Sequence, residues 1–219
     1  MSLGLDFLDT PWAAALLALA IYPLLVLLTG VVAGRQAASE GAGPAVRAID
    51  WMSNQAFLWA RWLSLWLVLV QFAVVVLRYV FGIGYIFLQE SLLYFHGTLF
   101  LISASGALLH EGHVRIDIFY RGLSGAGKAW VDFIGAYAFL FPVIAVIAAA
   151  SAPYVSASWS VLEGSKETSG IPAIFVLKTM ILVFAGLMFA QGIAFATRAA
   201  IVILGAAPPG KPQGPTVIA

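Results

Sequence analysis

Five stretches of mostly apolar residues constrain this chain more than anything else in it, because roughly 20 such residues in a helix cross about 30 Å of hydrocarbon. They cover 12–33, about 62–77, 91–109, 133–152 and 174–197. The first holds no charge. Arg61 and Arg78 edge the second, and Glu90 and His110 bound the third. The fifth carries Lys178 near its start and stays apolar past Arg198 to Leu204. None alternates with the period of two that a membrane barrel strand needs. The expected fold is an all-α integral membrane protein. Composition agrees: of 219 residues, 62% are hydrophobic and only 10% charged, where a soluble domain carries about 25% charged. A net charge of +1 gives no reason to expect nucleic acid as a partner. Without cysteine there is no disulfide, thiolate nucleophile or thiolate metal site.

A secretory signal peptide opens with positive charge, whereas the residues before Trp12 include Asp6 and Asp9 and no Lys or Arg. The first stretch therefore reads as a retained helix. Counting Lys and Arg between spans puts eight on one side (Arg35, Arg47, Arg61, Arg115, Arg121, Lys128, Arg198, Lys211) and three on the other (Arg78, Lys166, Lys178). The richer side is expected to be cytoplasmic, with the N-terminus outside and the C-terminus inside. No internal repeat of the kind that builds many carriers is visible.

Two stretches on the basic side look amphipathic. From Pro44, a helix-start signal, Ile49, Met52, Ala56, Trp59 and Leu63 fall on one helical face, with Arg47, Asp50 and Asn54 on the other. After His113, the residues Ile116, Phe119, Tyr120 and Leu123 form a second apolar face, with Asp117 and Arg121 spaced to pair. Both are expected to lie at the membrane interface.

Polar groups within spans are few. Glu90 is expected to pair with Arg78 or Lys178 at the outer interface, and Lys178 to snorkel. Gln71 and Gln191 suit hydrogen bonds between helices. Small-residue patches at 30–34 and 103–107 suit close helix approach. His96 and His110 stand fourteen residues apart on one helix, a spacing compatible with stacked haems, so a haem-binding membrane anchor of a redox enzyme is the competing reading. It lacks second ligands: no other span holds a histidine. His110-Glu111-Gly112-His113 is one residue short of the HExxH zinc motif. No phosphate loop, nucleophilic triad or paired carboxylates appear, so no enzyme activity, cofactor or metal is expected.

Arg78-Tyr79-Val80-Phe81, then Glu90 opening a helix, then His113-Val114-Arg115-Ile116-Asp117 resembles the small membrane (Q-type) subunit of tripartite ATP-independent periplasmic (TRAP) transporters. So do Glu163-Gly164-Ser165, Glu167, Lys178 and Gln191-Gly192; the likeness runs from about Ala45 to Leu204. Family members often show a tryptophan and an acidic pair where this chain has Phe87, Gln89 and Glu90. The resemblance implies a four-helix family core over 35–204, one extra N-terminal span over 1–34, and a flexible cytoplasmic tail over 205–219. It also implies a multi-pass protein of the bacterial inner membrane. Two partners follow: a large permease subunit that carries the substrate and sodium sites, and a periplasmic substrate-binding protein that captures an organic acid. The small subunit would scaffold the large one, with no ATP hydrolysed. The expected partner-facing or structural residues are Arg78, Glu90, His113, Arg115, Asp117, Arg121, Lys178 and Gln191. Glu163, Lys166 and Glu167 are expected to meet the binding protein. Which organic acid is carried is not written in this chain.

Overall fold

The computed structural model describes residues 11–112 and 120–212. It is built of helices: α1 (Pro11–Ala20), α2 (Tyr22–Val32), α3 (Arg35–Val80), α4 (Ile86–Leu109), α5 (Gly125–Gly135), α6 (Phe141–Ser160) and α7 (Ile174–Ile203). Five stretches are long and apolar enough to span a membrane: Ala14–Val32, Arg35–Val80, Ile86–Leu109, Gly125–Ser160 and Ile174–Ile203. The chain is an all-α, multi-pass membrane protein, as its apolar segments required.

Two boundaries differ from expectation in ways that matter. Pro44 does not start a helix. The segment expected at the interface and the second span form one unbroken helix of 46 residues, α3, with Pro44 inside it. At 1.5 Å per residue that is about 69 Å, longer than a bilayer with its headgroups at about 40–45 Å. Upright, α3 would project well beyond the membrane; oblique, it would run partly along the surface. Its start is set by Gly34, whose φ of 98° stops α2 and turns the chain. Gly34 is therefore a helix terminator, whereas Gly30, four residues earlier, is buried where an added Cβ would strike Leu204.

The fourth span begins earlier than its hydrophobicity suggests and contains a π-helical turn, Ala136–Leu140, between α5 and α6. The cause is Pro142: it lacks the N–H that Ala138 would receive, and its ring crowds that carbonyl. The widened turn absorbs the conflict, with the Phe141 N–H donating to Ala136 O.

α7 is the central helix and packs against α2, α3, α4, α5 and α6. Its sequence explains this position. Ala194, Ala196 and Ala200 are fully buried, and Gly192 lies against Leu140 and Phe141. Apolar attraction alone does not drive helices together in lipid, so such small residues gain van der Waals contact by letting backbones approach. The second small-residue patch serves α3 and α4: Gly106 is buried where a Cβ would overlap Phe57. The first span joins the bundle through α2, where Val26 meets Ala38, Ala42 and Ile201, and the Tyr137 hydroxyl donates to Ala20 O at 2.6 Å. Just after α7, Ala207 O accepts from the Ser39 hydroxyl and Pro209 O from Arg198.

Candidate functional site

Two polar clusters lie at opposite ends of the bundle. The first begins on the polar face of α3. Asp50 and Ser53 are fully buried, while Trp59 and Met52 of the apolar face are 68% and 38% exposed. Where a helix lies against lipid, apolar side chains can stay exposed while buried polar groups find their partners in protein. α7 brings Arg198 opposite Asp50, where its two terminal nitrogens grip the two carboxylate oxygens. The Gln191 amide donates to Asp50 Oδ1 at 3.3 Å, and Arg198 Nε reaches Pro209 O at 3.3 Å. Gln191 thus makes the interhelical bond expected of it, and its carboxylate partner comes from the long helix.

Beside this network, the His110 ring lies 3.1 Å from Asn54 Oδ1 and packs against Phe57. Burial, then the nearby Lys211, hold the His110 imidazole below its ordinary pKa, partly countered by Asp50. Glu111 pairs with Lys211. Arg121 is exposed just before α5. His113, Arg115 and Asp117 lie outside the described residues.

At the other end, Glu90 pairs with neither Arg78 nor Lys178. Its Oε1 accepts from the Ser165 hydroxyl and its Oε2 from the Ile171 N–H at 2.6 Å. The loop 161–173 is thereby fastened to the first turns of α4. Gly170 is required at this junction, since a Cβ there would overlap Ser165 Oγ and crowd Glu90 Oε2. Lys178 instead pairs with Glu163 at 2.5 Å, and its ammonium sits 4.0 Å from the centroid of the Tyr154 ring. The Ser158 hydroxyl donates to the same Glu163 oxygen at 2.7 Å. These two hydrogen bonds, Lys178's first, hold the Glu163 carboxyl below its ordinary range despite some desolvation. Arg78, Lys166 and Glu167 are exposed.

A family model described as "Tripartite ATP-independent periplasmic transporters, DctQ component" matches residues 67–201. The chain belongs to this family. The match takes in the last third of α3 and most of α7, with everything between, including Glu90 and Gln191; Asp50 and the first span precede it. No curated protein and no solved structure gives a match. The protein is therefore a TRAP transporter small membrane subunit, from a transporter-component family rather than an enzyme family. Systems of this family combine such a subunit with a large permease and a substrate-binding protein.

Sequence reasoning missed Asp50 and Arg198 as a pair. Part of the signal was present: Arg198 is an isolated charge in an apolar run, and Asp50, of opposite sign, lies on the same side of the membrane by span parity. It also assigned Glu90 a cation, when hydroxyl and backbone donors sat in the next loop.

Proposed function

We propose that this TRAP small subunit works as a scaffold: it braces the large permease in a secondary-active, sodium-coupled transporter for organic acids, without binding the transported molecule. The observation that carries this reading is how its polar groups are used. Arg198 and Gln191 both donate to Asp50, and Glu90, Glu163 and Lys178 bond within the chain at the other end. A carrier keeps polar groups and broken helices open at the midplane to replace solute and ion hydration. Here Arg198 and Gln191 fix α7 to α3 through Asp50. A body that stays rigid while a neighbour moves needs such fastenings.

In this reading Glu90, Lys178, Gln191 and Arg78 are structural or partner-facing residues, and His113, Arg115, Asp117 and Arg121 serve the basic end. That end faces the cytoplasm of a bacterial inner membrane, with the N-terminus in the periplasm. The 161–173 loop then faces the periplasm, where Lys166 and Glu167 meet the substrate-binding protein. Glu163, held by Lys178, shapes the loop they stand on. The test is reconstitution. Liposomes holding this chain alone should show no sodium-dependent uptake across a panel of carboxylates; adding the large permease and the binding protein should restore it. If Glu90→Gln abolished uptake with the assembled complex and its sodium binding intact, the purely structural role would be wrong.

A further inference from the structure

Beyond Ala60, no residue of α3 is fully buried, and this half of the helix presents two exposed sides of different chemistry. One carries Trp62, Leu65, Trp66, Leu69 and Phe72, all apolar and 47–68% exposed. The other, roughly 120° around the helix, carries Arg61, Val68, Gln71, Val75 and Arg78, every one of them exposed.

The polar side continues onto α4. Asn54 and His110 touch across the α3–α4 seam. Steps of seven residues, two helical turns, carry that contact along an antiparallel pair. By that spacing Arg61 falls level with Ser103, Val68 with His96 and Val75 with Gln89. Gln71 and Arg78 follow one turn after Val68 and Val75. One side of the hairpin therefore bears Arg61, Gln71, Arg78, Gln89 and His96, set among the exposed apolar side chains of Val68, Val75, Leu93 and Phe100. His96 and Gln89 are exposed as well.

Depth makes this face unlike a lipid-facing one. Arg61 and Arg78 are 17 residues apart, about 26 Å along the helix, close to the hydrocarbon thickness. Gln71 lies between them. Its amide and the His96 imidazole make no hydrogen bond among the described residues. Acyl chains offer no donor or acceptor, so polar side chains at this depth face protein or water rather than lipid. A second copy of this chain fits poorly. Copies in one membrane share an orientation, so a two-fold axis stands along the membrane normal and sets Arg61 against Arg61 and Arg78 against Arg78.

We propose that this polar side of the α3–α4 hairpin is the surface on which the large permease subunit docks. The matching permease surface would present hydrogen-bonding groups to Gln71 and His96 at mid-depth and acceptors to Arg61 and Arg78 at the rims, while the Trp62–Trp66–Leu69 side stays in lipid. This rests on the scaffold reading above and names the surface that performs it.

A photoreactive benzophenone amino acid placed at 71, 75 or 96, with 66 and 69 as lipid-side controls, tests it: each variant is expressed with the large subunit and irradiated in membranes. The expected result is cross-linking to large-subunit peptides, identified by mass spectrometry, from 71, 75 and 96 and none from 66 and 69. No cross-link from 71 and 96 in a complex that still co-purifies with the large subunit overturns this surface and leaves the scaffold reading standing. Because the chain has no cysteine, Gln71→Cys also reports self-association by disulfide formation. Disulfide-linked homodimers through position 71 overturn it in favour of self-association. Failure of the unsubstituted chain to associate with any large permease overturns both.

Discussion

Replacing Asp50 by Leu removes the carboxylate that, among the described residues, pairs with the Arg198 guanidinium and leaves that charge 92% buried, since Arg198 is 8% exposed. Two unit charges about 4 Å apart attract by about 4 kcal/mol at an effective dielectric of about 20. Removing one partner of a buried pair costs about 3–5 kcal/mol, because the other charge is left uncompensated. Arg198 keeps one weak alternative, the Pro209 carbonyl at 3.3 Å, so the upper half of that range is expected. At about 2–4 °C per kcal/mol for a chain of this size, the melting temperature in detergent should fall by about 8–20 °C. Arg198→Met alone should cost a similar amount by stranding Asp50, which is fully buried. The double variant is the decisive arm. With both charges gone there is nothing left to strand, and a packed apolar pair is often neutral, so most of the lost stability should return. Additive single-variant losses in a thermal-shift double-mutant cycle would refute the claim that the cost lies in an orphaned charge.

Glu90→Ala should free the 161–173 loop, losing hydrogen bonds to a charged group worth about 1.5–3 kcal/mol. Hydrogen exchange at the Ile171 amide should then accelerate while α7 amides stay protected; an unchanged Ile171 rate would deny the staple. Gly106→Ala pushes a methyl into Phe57 and should cost about 1–3 kcal/mol by overpacking, read as a lower melting temperature than that of Gly186→Ala, where no atom lies within 4 Å. Glu163 supplies a pH dependence of known sign. Its folded-state pKa lies below its ordinary 4.5, so its contribution is fully present above that value and is lost as pH falls through the depressed one. Glu163→Gln should flatten the acid limb of loop protection, and an acid limb of the same shape in the variant would contradict the assignment.

The spans were legible because a bilayer imposes a length and an apolarity that show in any window of the sequence. The first 26 residues of α3 were harder. An interfacial helix and the buried half of a tilted membrane helix share the same 3.6-residue pattern, and the pattern does not say which side meets protein. In water the apolar side turns inward. At a membrane the polar side can do so, and Asp50 decides the matter only once Arg198, 148 positions later, is known to face it. The same asymmetry explains Glu90. Reading charges as needing opposite charges favours Arg78 or Lys178, but a carboxylate is served equally by a hydroxyl and a backbone N–H, and loop backbone donors leave no mark in residue type. Gly170 was the available clue, a residue without a side chain where two polar groups converge. The rule that follows for chains of this kind is to pair each lone intramembrane charge first with the other lone charges on its side of the membrane. The apolar faces are assigned to lipid only afterwards. Here Asp50, on the polar face of α3, finds Arg198, while Gln71 and His96 stand exposed within the spans with no hydrogen bond among the described residues.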